Sequence, residues 1–304
     1  MIMSYHDSVL LRPSVEALVQ NPDGVYVDCT FGGGGHSIEI LKKLSPKGRL
    51  FAFDQDPDAK ANDTLDERFM LIPQNFRFLK NYLRFYQIQQ VDGILADLGV
   101  SSHQFDTAER GFSTRFEGIL DMRMNPNQQL SAKEVINSYD EEHLSEIFYL
   151  YGELPQPKKI AREIIQERNK REINTTKELK EIFSYIPPHR QNKFFAQLFQ
   201  ALRIEVNDEM NALKELLTQS MEVLKVGGVL VFISYHSLED RLVKKFIKTG
   251  LFTGEPERDV FGNWHKPFDL PKNKAITPDE SEINENPRAR SAKMRIAVKN
   301  GEET

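Results

Sequence analysis

The sequence of 304 residues contains a single cysteine, Cys29, and this scarcity excludes several classes of protein. One cysteine cannot form an internal disulfide or a thiolate metal cluster. The seven histidines are scattered and form no H-E-x-x-H pair, so we predict no metal site. The sequence G-x-x-x-x-G-K-[ST] is also absent, which disfavours a phosphoryl-transfer enzyme.

Long apolar segments are lacking as well. No stretch reaches the roughly 20 apolar residues that a transmembrane helix needs, and the N-terminal M-I-M-S-Y-H-D-S lacks the basic-then-apolar layout of a signal peptide. We therefore expect a cytoplasmic protein without a membrane partner. The formal net charge of −5 indicates that the protein as a whole is no general nucleic-acid binder, so contacts of that kind must come from local patches.

What the sequence does contain is a run of four glycines at positions 32–35. A short apolar run ending at Asp28 precedes it, and apolar residues at helical spacing follow it. This pattern of strand, glycine turn and helix is typical of the first unit of a doubly wound α/β sheet. A flexible linker is the alternative interpretation, but the strand and helix on either side favour a loop that lets the backbone approach a ligand.

Acidic residues end three of the predicted strands: Asp28, Asp54 and Asp97. Asp54 lies about twenty residues beyond the glycines, where such folds place a carboxylate on a ribose diol. A carboxylate at Asp28 would repel a pyrophosphate but attract an ammonium or sulfonium group. The pattern therefore favours S-adenosylmethionine over NAD. Phe76, which follows the third strand, could lie against a purine ring or pack in the core.

The alternation of strands and helices stops near residue 105 and resumes near residue 206. Between them we predict short helices, one opened by a capping box of Ser131 and Glu134 and another that stops at Pro187. The predicted domains are residues 1–105 with 206–304, and a helical insert at 106–205. A fifth strand is expected from Val229 to Ser234, a mobile loop at 254–285, and a last strand near 294–298.

The insert carries an excess of positive charge. Between residues 158 and 193 there are ten bases and five acids. Ion pairs along a solvated helix face explain part of this pattern, whereas a surface that contacts phosphates explains the excess. The candidate RNA contacts are Lys158, Lys159, Arg162, Arg168, Lys170 and Arg171, together with Arg288 and Arg290 near the C-terminus.

The residues after the fourth strand suggest the chemistry. Carbon-5 methylation of a pyrimidine needs a cysteine nucleophile. The only cysteine, Cys29, is expected to face the sheet, and this argues against carbon-5 methylation. Methylation of an exocyclic amine instead needs acceptors for its N–H groups, and Asp97, Ser101 and Ser102 are our candidates. Alternatively, the two serines cap a turn. A target base in folded RNA must be flipped out and stacked on an aromatic ring, for which we suggest Tyr235 with Phe105 behind it.

Several long motifs occur in a characteristic order. They are V-L-L at 9–11, D-C-T-F-G-G-G-G-H-S at 28–37, F-D-Q-D-P at 53–57, D-G-I-L-A-D-L-G-V-S-S at 92–102, A-E-R-G-F-S at 108–113, L-D-M-R-M at 120–124, Q-A-L-R-I-E-V-N at 200–207, S-Y-H-S-L-E-D-R at 234–241 and E-N-P-R-A-R-S at 285–291. In these motifs, over nearly its whole length, the chain resembles the bacterial 16S ribosomal RNA (cytosine-N4)-methyltransferases.

The resemblance implies a class I Rossmann-like methyltransferase fold with an inserted helical domain that helps to recognise the substrate. It implies methyl transfer from S-adenosylmethionine, without a metal, to the N4 amine of a cytosine in the decoding region of 16S rRNA, within the small ribosomal subunit. The donor is held in this family by positions that match Gly34, Gly35, His36, Asp54, Phe76, Asp97 and Gln104.

The chain departs from the family pattern at three positions in or beside these motifs. Gly33 stands where an arginine is frequent, His103 replaces a frequent proline, and Tyr235 replaces a frequent phenylalanine. These differences concern the shape of the pocket rather than the reaction. Two other hypotheses compete with a methyltransferase: an NAD-dependent oxidoreductase on the same sheet, and a ribosome-assembly factor that holds RNA without catalysis.

Overall fold

The computed structural model describes residues 8–301. The N-terminal segment that bears on the signal-peptide prediction lies mostly outside the described residues. Among residues 8–301, no helix combines the length and the apolar character that crossing a membrane requires.

One sheet of seven strands organises the described chain. The strands are β1 (Val25–Asp28), β2 (Arg49–Phe53), β3 (Phe69–Ile72), β4 (Val91–Asp97), β5 (Leu224–Ser234), β6 (Phe268–Asp269) and β7 (Lys293–Lys299). Their order is β3-β2-β1-β4-β5-β7-β6. The first five are parallel, whereas β7 runs antiparallel to both β5 and β6. This doubly wound sheet confirms the predicted Rossmann-like methyltransferase fold.

Twelve α-helices lie within the described residues. They are α1 (Leu11–Leu18), α2 (Gly35–Lys43), α3 (Leu79–Phe85), α4 (Ser102–Asp106), α5 (Ala132–Ser138), α6 (Glu141–Leu150), α7 (Pro157–Arg168), α8 (Thr176–Ile182), α9 (Pro188–Asn207), α10 (Glu209–Val223), α11 (Ser237–Thr249) and α12 (Glu280–Glu285). Short 3₁₀ turns at Pro57–Asn62 and Phe76–Phe78 follow β2 and β3.

The central strands are apolar because both of their faces are covered. Alternate residues of β5 enter two different clusters: Phe232 packs on one face of the sheet and Val231 on the other. Along β1, Val27 and Tyr26 divide in the same way. This alternation follows from the pleat of a strand, and it buries side chains on both faces of the sheet. Polar side chains therefore lie at the carboxyl ends of the strands.

The chain divides into two compact units. One comprises residues 1–99 and 211–304 and contains the sheet, and the other comprises residues 100–210. The predicted boundaries at residues 105 and 206 lie six and five residues from these divisions. The second unit is helical and has its own core, in which Phe148, Phe183 and Leu202 are fully buried.

Several local predictions can be compared with these elements. The capping box of Ser131 and Glu134 is confirmed at the start of α5. The helix opened near Asn174 was expected to reach Pro187, but α8 ends at Ile182, and the proline pair opens α9 instead. Proline fits there because the first helical turn needs no N–H from it.

The sequence predicted too little regular structure in the C-terminal part of the chain. Strand β5 begins at Leu224 rather than Val229, and its pairing with β4 shifts register between Val91 and Gly93. Residues 254–285, predicted as a loop, contain the short strand β6 and the helix α12. Two-residue strands carry no alternation of apolar and polar residues, so the sequence offers no periodic signal for β6.

Candidate active site

The glycine loop is fastened to the strands on both sides of β1. The backbone N–H of Gly32 donates to Asp54 Oδ2 at 2.7 Å. On the other side, the backbone N–H of Asp97 donates to Thr30 Oγ1 at 2.7 Å. Strand ends that are distant in sequence therefore meet at one edge of the sheet, as expected for parallel strands.

Asp28 is fully buried at the end of β1. Its carboxylate accepts hydrogen bonds from the Thr30 backbone N–H at 3.0 Å and from Ser37 Oγ at 2.7 Å. Burial raises the pKa of Asp28, although the charge of His36 and the hydrogen bond from Ser37 oppose the shift. The predicted position of Asp28 at the end of the first strand is confirmed. Its side chain ties the loop to the first turn of α2, and its attraction for a cationic ligand group stays a prediction.

Two glycines in the loop have different reasons to be there. Gly34 precedes α2 with φ +80°, a conformation that side-chain-bearing residues rarely adopt. Gly33 has no positive φ, and a Cβ at this position would meet nothing within 4 Å. Position 33 could therefore carry a side chain without a clash at its Cβ, such as the arginine that is frequent there in the family that the chain resembles.

Asp54 lies half-buried just beyond β2. Its two carboxylate oxygens accept backbone N–H groups from Gly32 and, at 2.8 Å, from Asp56. Burial raises the pKa of Asp54 to about 6, and the hydrogen bonds from Asp56 and Gly32 oppose that shift. A carboxylate has about four lone-pair directions. Asp54 can thus accept further hydrogen bonds, such as those of a diol.

Asp97 ends β4 with its side chain 20% exposed. Its Oδ1 accepts a hydrogen bond from the Tyr235 hydroxyl at 2.8 Å, and its Oδ2 lies 3.8 Å from His36 Nδ1. Burial raises the pKa of Asp97 to about 6, with His36 and the Tyr235 hydroxyl acting in the opposite direction. Perturbed carboxyl groups of this kind cluster at functional sites.

Tyr235 has a partner that the sequence did not reveal. Burial and the neighbouring charge of Asp97 raise the pKa of its phenol well above the ordinary value, so the hydroxyl is a donor. The ring also borders Gly99, where a Cβ would lie 3.4 Å from Tyr235 Cδ2. The predicted stacking of a base on Tyr235 stays a prediction, and so does the supporting role of Phe105.

His36 lies in the first turn of α2 and is 4% exposed. Among residues 8–301, its Nε2 has no hydrogen-bond partner. A buried polar nitrogen without a partner is costly. The unpartnered Nε2 atom therefore indicates that a polar ligand group belongs at this edge of the sheet.

Phe76 begins the turn after β3 and is half-buried, with part of its surface packed against the core cluster around Phe53 and Leu79. Core packing is thus observed, and contact with a purine stays a prediction. Gly35, the first residue of α2, approaches Ser8 so closely that a Cβ would lie 2.1 Å from Ser8 Oγ. Only glycine allows this approach without rearrangement.

Ser101, Ser102 and Gln104 belong to the helical unit, at the start of α4. Ser101 Oγ accepts the backbone N–H of Gln104 at 3.2 Å, and Gln104 Oε1 accepts the backbone N–H of Ser101 at 3.1 Å. The alternative that Ser101 caps a turn is confirmed by this capping box. Roles of Ser101 and Ser102 as acceptors for an amine, and of Gln104 in donor binding, stay predictions.

The only cysteine is buried just beyond the end of β1. Cys29 is 2% exposed, and burial together with the charge of Asp28 raises the pKa of its thiol well above the usual range. A nucleophilic cysteine needs a lowered pKa and access to its substrate. Cys29 has neither property.

Sequence comparison identifies the family. The chain matches the family described as MraW methylase family over residues 3–300.

The chain belongs to the MraW methylase family.

The resemblance predicted from the motifs is therefore confirmed, and this MraW-family protein is an S-adenosylmethionine-dependent methyltransferase. It is similar to the ribosomal RNA small subunit methyltransferase H of Flavobacterium johnsoniae, with 59% identity over 298 residues, or 98% of each chain. The protein of the same name from Christiangramia forsetii is 56% identical over 299 residues, covering 98% of this chain and 99% of that one. The competing oxidoreductase hypothesis is set aside by this membership.

The predicted RNA-contacting bases of the insert are largely neutralised within their own unit. Lys159, Arg162, Lys170 and Arg171 form ion pairs with acidic side chains, at distances of 2.9 to 3.7 Å. Arg168 donates instead to the backbone carbonyl of Ile136 at 2.7 Å. Ion pairs thus engage four of the six predicted bases of the insert, and contact of these bases with RNA stays a prediction.

Proposed function

We propose that this MraW-family enzyme methylates the N4 amine of a cytosine in the decoding region of 16S rRNA, within the small ribosomal subunit and in the cytoplasm. The observation that carries the substrate class is the 59% identity, over 98% of both chains, to a protein named ribosomal RNA small subunit methyltransferase H. The choice of an amine as the acceptor rests on the residues at the strand ends.

Attack by a carbon of the pyrimidine ring is disfavoured by the chain itself. That reaction requires a thiolate that adds to the base, and the single cysteine is buried with a raised pKa. An exocyclic amine needs no covalent intermediate with the protein. It needs acceptors that hold its N–H groups and keep the nitrogen lone pair directed at the methyl group.

We assign the donor site to Gly34, Gly35, His36, Asp54, Phe76, Asp97 and Gln104. S-adenosylmethionine supplies an activated methyl group on a sulfonium that is already a good leaving group. Asp54 offers carboxylate oxygens for a ribose diol, and the unpartnered Nε2 of His36 offers one hydrogen-bonding position for a polar group. The glycine loop allows close backbone approach because it carries no side chains.

Asp97 is our candidate acceptor for the cytosine amine, with Ser101 and Ser102 as additional acceptors. The pKa of Asp97 is raised to about 6, so the group is mostly ionised at neutral pH. An ionised carboxylate accepts N–H hydrogen bonds strongly. The main contribution of the chain is then to orient the amine and exclude water, which is worth several orders of magnitude in rate for a well-aligned displacement.

The test is a transfer assay with labelled S-adenosylmethionine on small subunits isolated from cells that lack this protein. Nuclease mapping locates the labelled nucleotide. We expect label on one cytosine of the decoding region, and no transfer with Asp97→Ala although the variant still binds subunits. Undiminished transfer by Asp97→Ala, or label on a different RNA, would contradict the proposal.

A further inference from the structure

A second basic surface, besides that of the insert, lies on the unit that contains the sheet. We define the flank surface as the exposed bases of α11 and of the segment that follows it: Lys244, Lys248, Arg258, Lys266 and Lys272. Between them is a cavity of about 340 Å³, bordered by Lys244, Lys248 and Lys272 and floored by Ile247 and Leu270.

The charge of this surface is not neutralised locally. Residues 241–274 contain eight bases and four acids, in a chain whose formal net charge is −5. Within the part of the chain that the structure describes, Lys244, Lys248 and Lys272 form no ion pair. The insert is different, since five of its ten bases between residues 158 and 193 are paired with carboxylates.

Three of these cations lie close to the ring of Trp264. The Lys248 Nζ, Arg258 Cζ and Lys266 Nζ atoms lie 5.8, 5.0 and 5.5 Å from the ring centroid. The indole N–H donates to the backbone carbonyl of Lys248 at 3.3 Å, which holds the ring against the end of α11. All three cations lie within 6 Å of the same ring centroid, and their combined positive charge favours a polyanion.

The flank surface is separate from the candidate active site. Strand β5 ends at Ser234, which pairs with Lys293 at the start of β7, so this end of β7 lies at the active-site edge. Phe268 and Asp269 of β6 pair with the opposite end of β7, at Lys299 and Val298. None of the residues assigned above to donor or amine binding borders the cavity.

We propose that the flank surface binds the phosphodiester backbone of the RNA substrate, at a distance from the nucleotide that is methylated. This inference rests on the proposed function. Lysine ammonium groups are strongly hydrated point charges that bind phosphates without reading sequence. Surfaces that hold RNA strands without sequence preference usually combine a basic groove with aromatic side chains. The flank surface therefore supplies affinity, whereas the active-site edge selects the base.

The test compares Lys244→Gln/Lys248→Gln with the matched control Lys43→Gln/Lys47→Gln. The control removes two exposed lysines that also form no ion pair in the described chain, at the end of α2 and in the loop after it. Binding of a short fluorescent single-stranded RNA of mixed sequence is measured over a series of salt concentrations. We expect the flank variant to bind more weakly and its salt slope to fall by about 2, because two lysines no longer neutralise phosphates.

In the methylation assay, we expect the flank variant to raise KM for small subunits while kcat stays within about twofold, because these contacts are the same in the ground state and the transition state. Affinity for S-adenosylmethionine and the thermal midpoint should match the wild type. A salt slope and KM equal to those of the control would overturn the inference. So would a flank surface that binds polyglutamate but not RNA, which would indicate an acidic protein partner.

The two proposals fail in different ways. If the wild-type chain transfers no methyl group to small subunits, the proposed function is wrong, whereas the RNA-binding comparison still decides whether the flank surface holds phosphates. If the wild type methylates subunits normally and the flank variant equals its control, only the flank inference is wrong.

Discussion

Replacing Tyr235 by phenylalanine removes one hydrogen bond from the candidate catalytic carboxylate and leaves the ring in place. The bond joins the Tyr235 hydroxyl to Asp97 Oδ1 at 2.8 Å. Because this donor stabilises the ionised form of Asp97, its removal must raise the pKa of the carboxyl above its present value of about 6.

The size of the shift follows from the energy of the bond. A hydrogen bond to a charged group contributes about 1.5–3 kcal/mol, and one pKa unit corresponds to about 1.4 kcal/mol. The pKa of Asp97 should therefore rise by roughly 1–2 units in Tyr235→Phe. If the ionised carboxylate accepts the amine, the rate falls as the pH drops through this pKa, and the acid limb moves to about pH 7–8.

The assay is the initial rate of methyl transfer to small subunits at saturating donor, measured from acidic to alkaline pH. The control is Tyr185→Phe, which also removes a tyrosine-to-carboxylate hydrogen bond, here the bond to Glu163 at 2.7 Å, from an exposed position on the insert. Its pH profile should match the wild type. An acid limb that stays in place or moves to lower pH in Tyr235→Phe would refute the reasoning.

Three further predictions concern neighbouring residues. The pKa of Asp54 is raised to about 6, so the folded protein holds a proton that the unfolded chain releases. Relative to Asp54→Asn, the free energy of unfolding should fall by about 2 kcal/mol as the pH rises from about 4 to about 6, in denaturant titrations. Cys29→Ala should keep kcat within about twofold in the transfer assay, since the thiol is buried and protonated. Gly34→Ala should weaken donor binding and cost about 1 kcal/mol or more of stability, whereas Gly33→Ala should change either by little, as calorimetry would show.

Each of these has a result that counts against it. A flat difference between wild type and Asp54→Asn across the acidic range would mean that the carboxyl titrates normally in the folded protein. A Cys29→Ala variant that folds but transfers no methyl group would show that the thiol takes part in the reaction. Equal effects at Gly33 and Gly34 would show that the positive φ at Gly34 does not constrain the loop.

Much of the sheet was predictable because its strands are short apolar runs that end in acids. Asp28, Asp54 and Asp97 were each expected at a strand end, and each lies at or just beyond one. The period of two along these strands and the glycine turn before α2 are local signals. Strand β6 was not predicted because two residues carry no periodicity.

Side-chain partners were less predictable, because they depend on contacts between distant parts of the chain. The hydrogen bond between Tyr235 and Asp97 spans 138 residues, and no local pattern encodes it. Asp28 is the reverse case: its position was predicted, but the sequence could not show that Ser37 and Thr30 occupy its carboxylate.

The same limit applies to charge. Counting bases pointed to the insert, where Arg162 and Arg171 are paired with glutamates. The flank surface has a comparable excess of bases, but Lys244 and Lys272 remain unpaired in the described chain. A count of charges measures composition, whereas a binding surface depends on which charges already have partners.

The most direct test of the account is a crystal structure of the chain with S-adenosylmethionine bound. We predict that the ribose hydroxyls lie within hydrogen-bond distance of Asp54 and that a polar group of the ligand reaches His36 Nε2. Electron density for the ligand elsewhere on the molecule, with the glycine loop and Asp54 unoccupied, would contradict it.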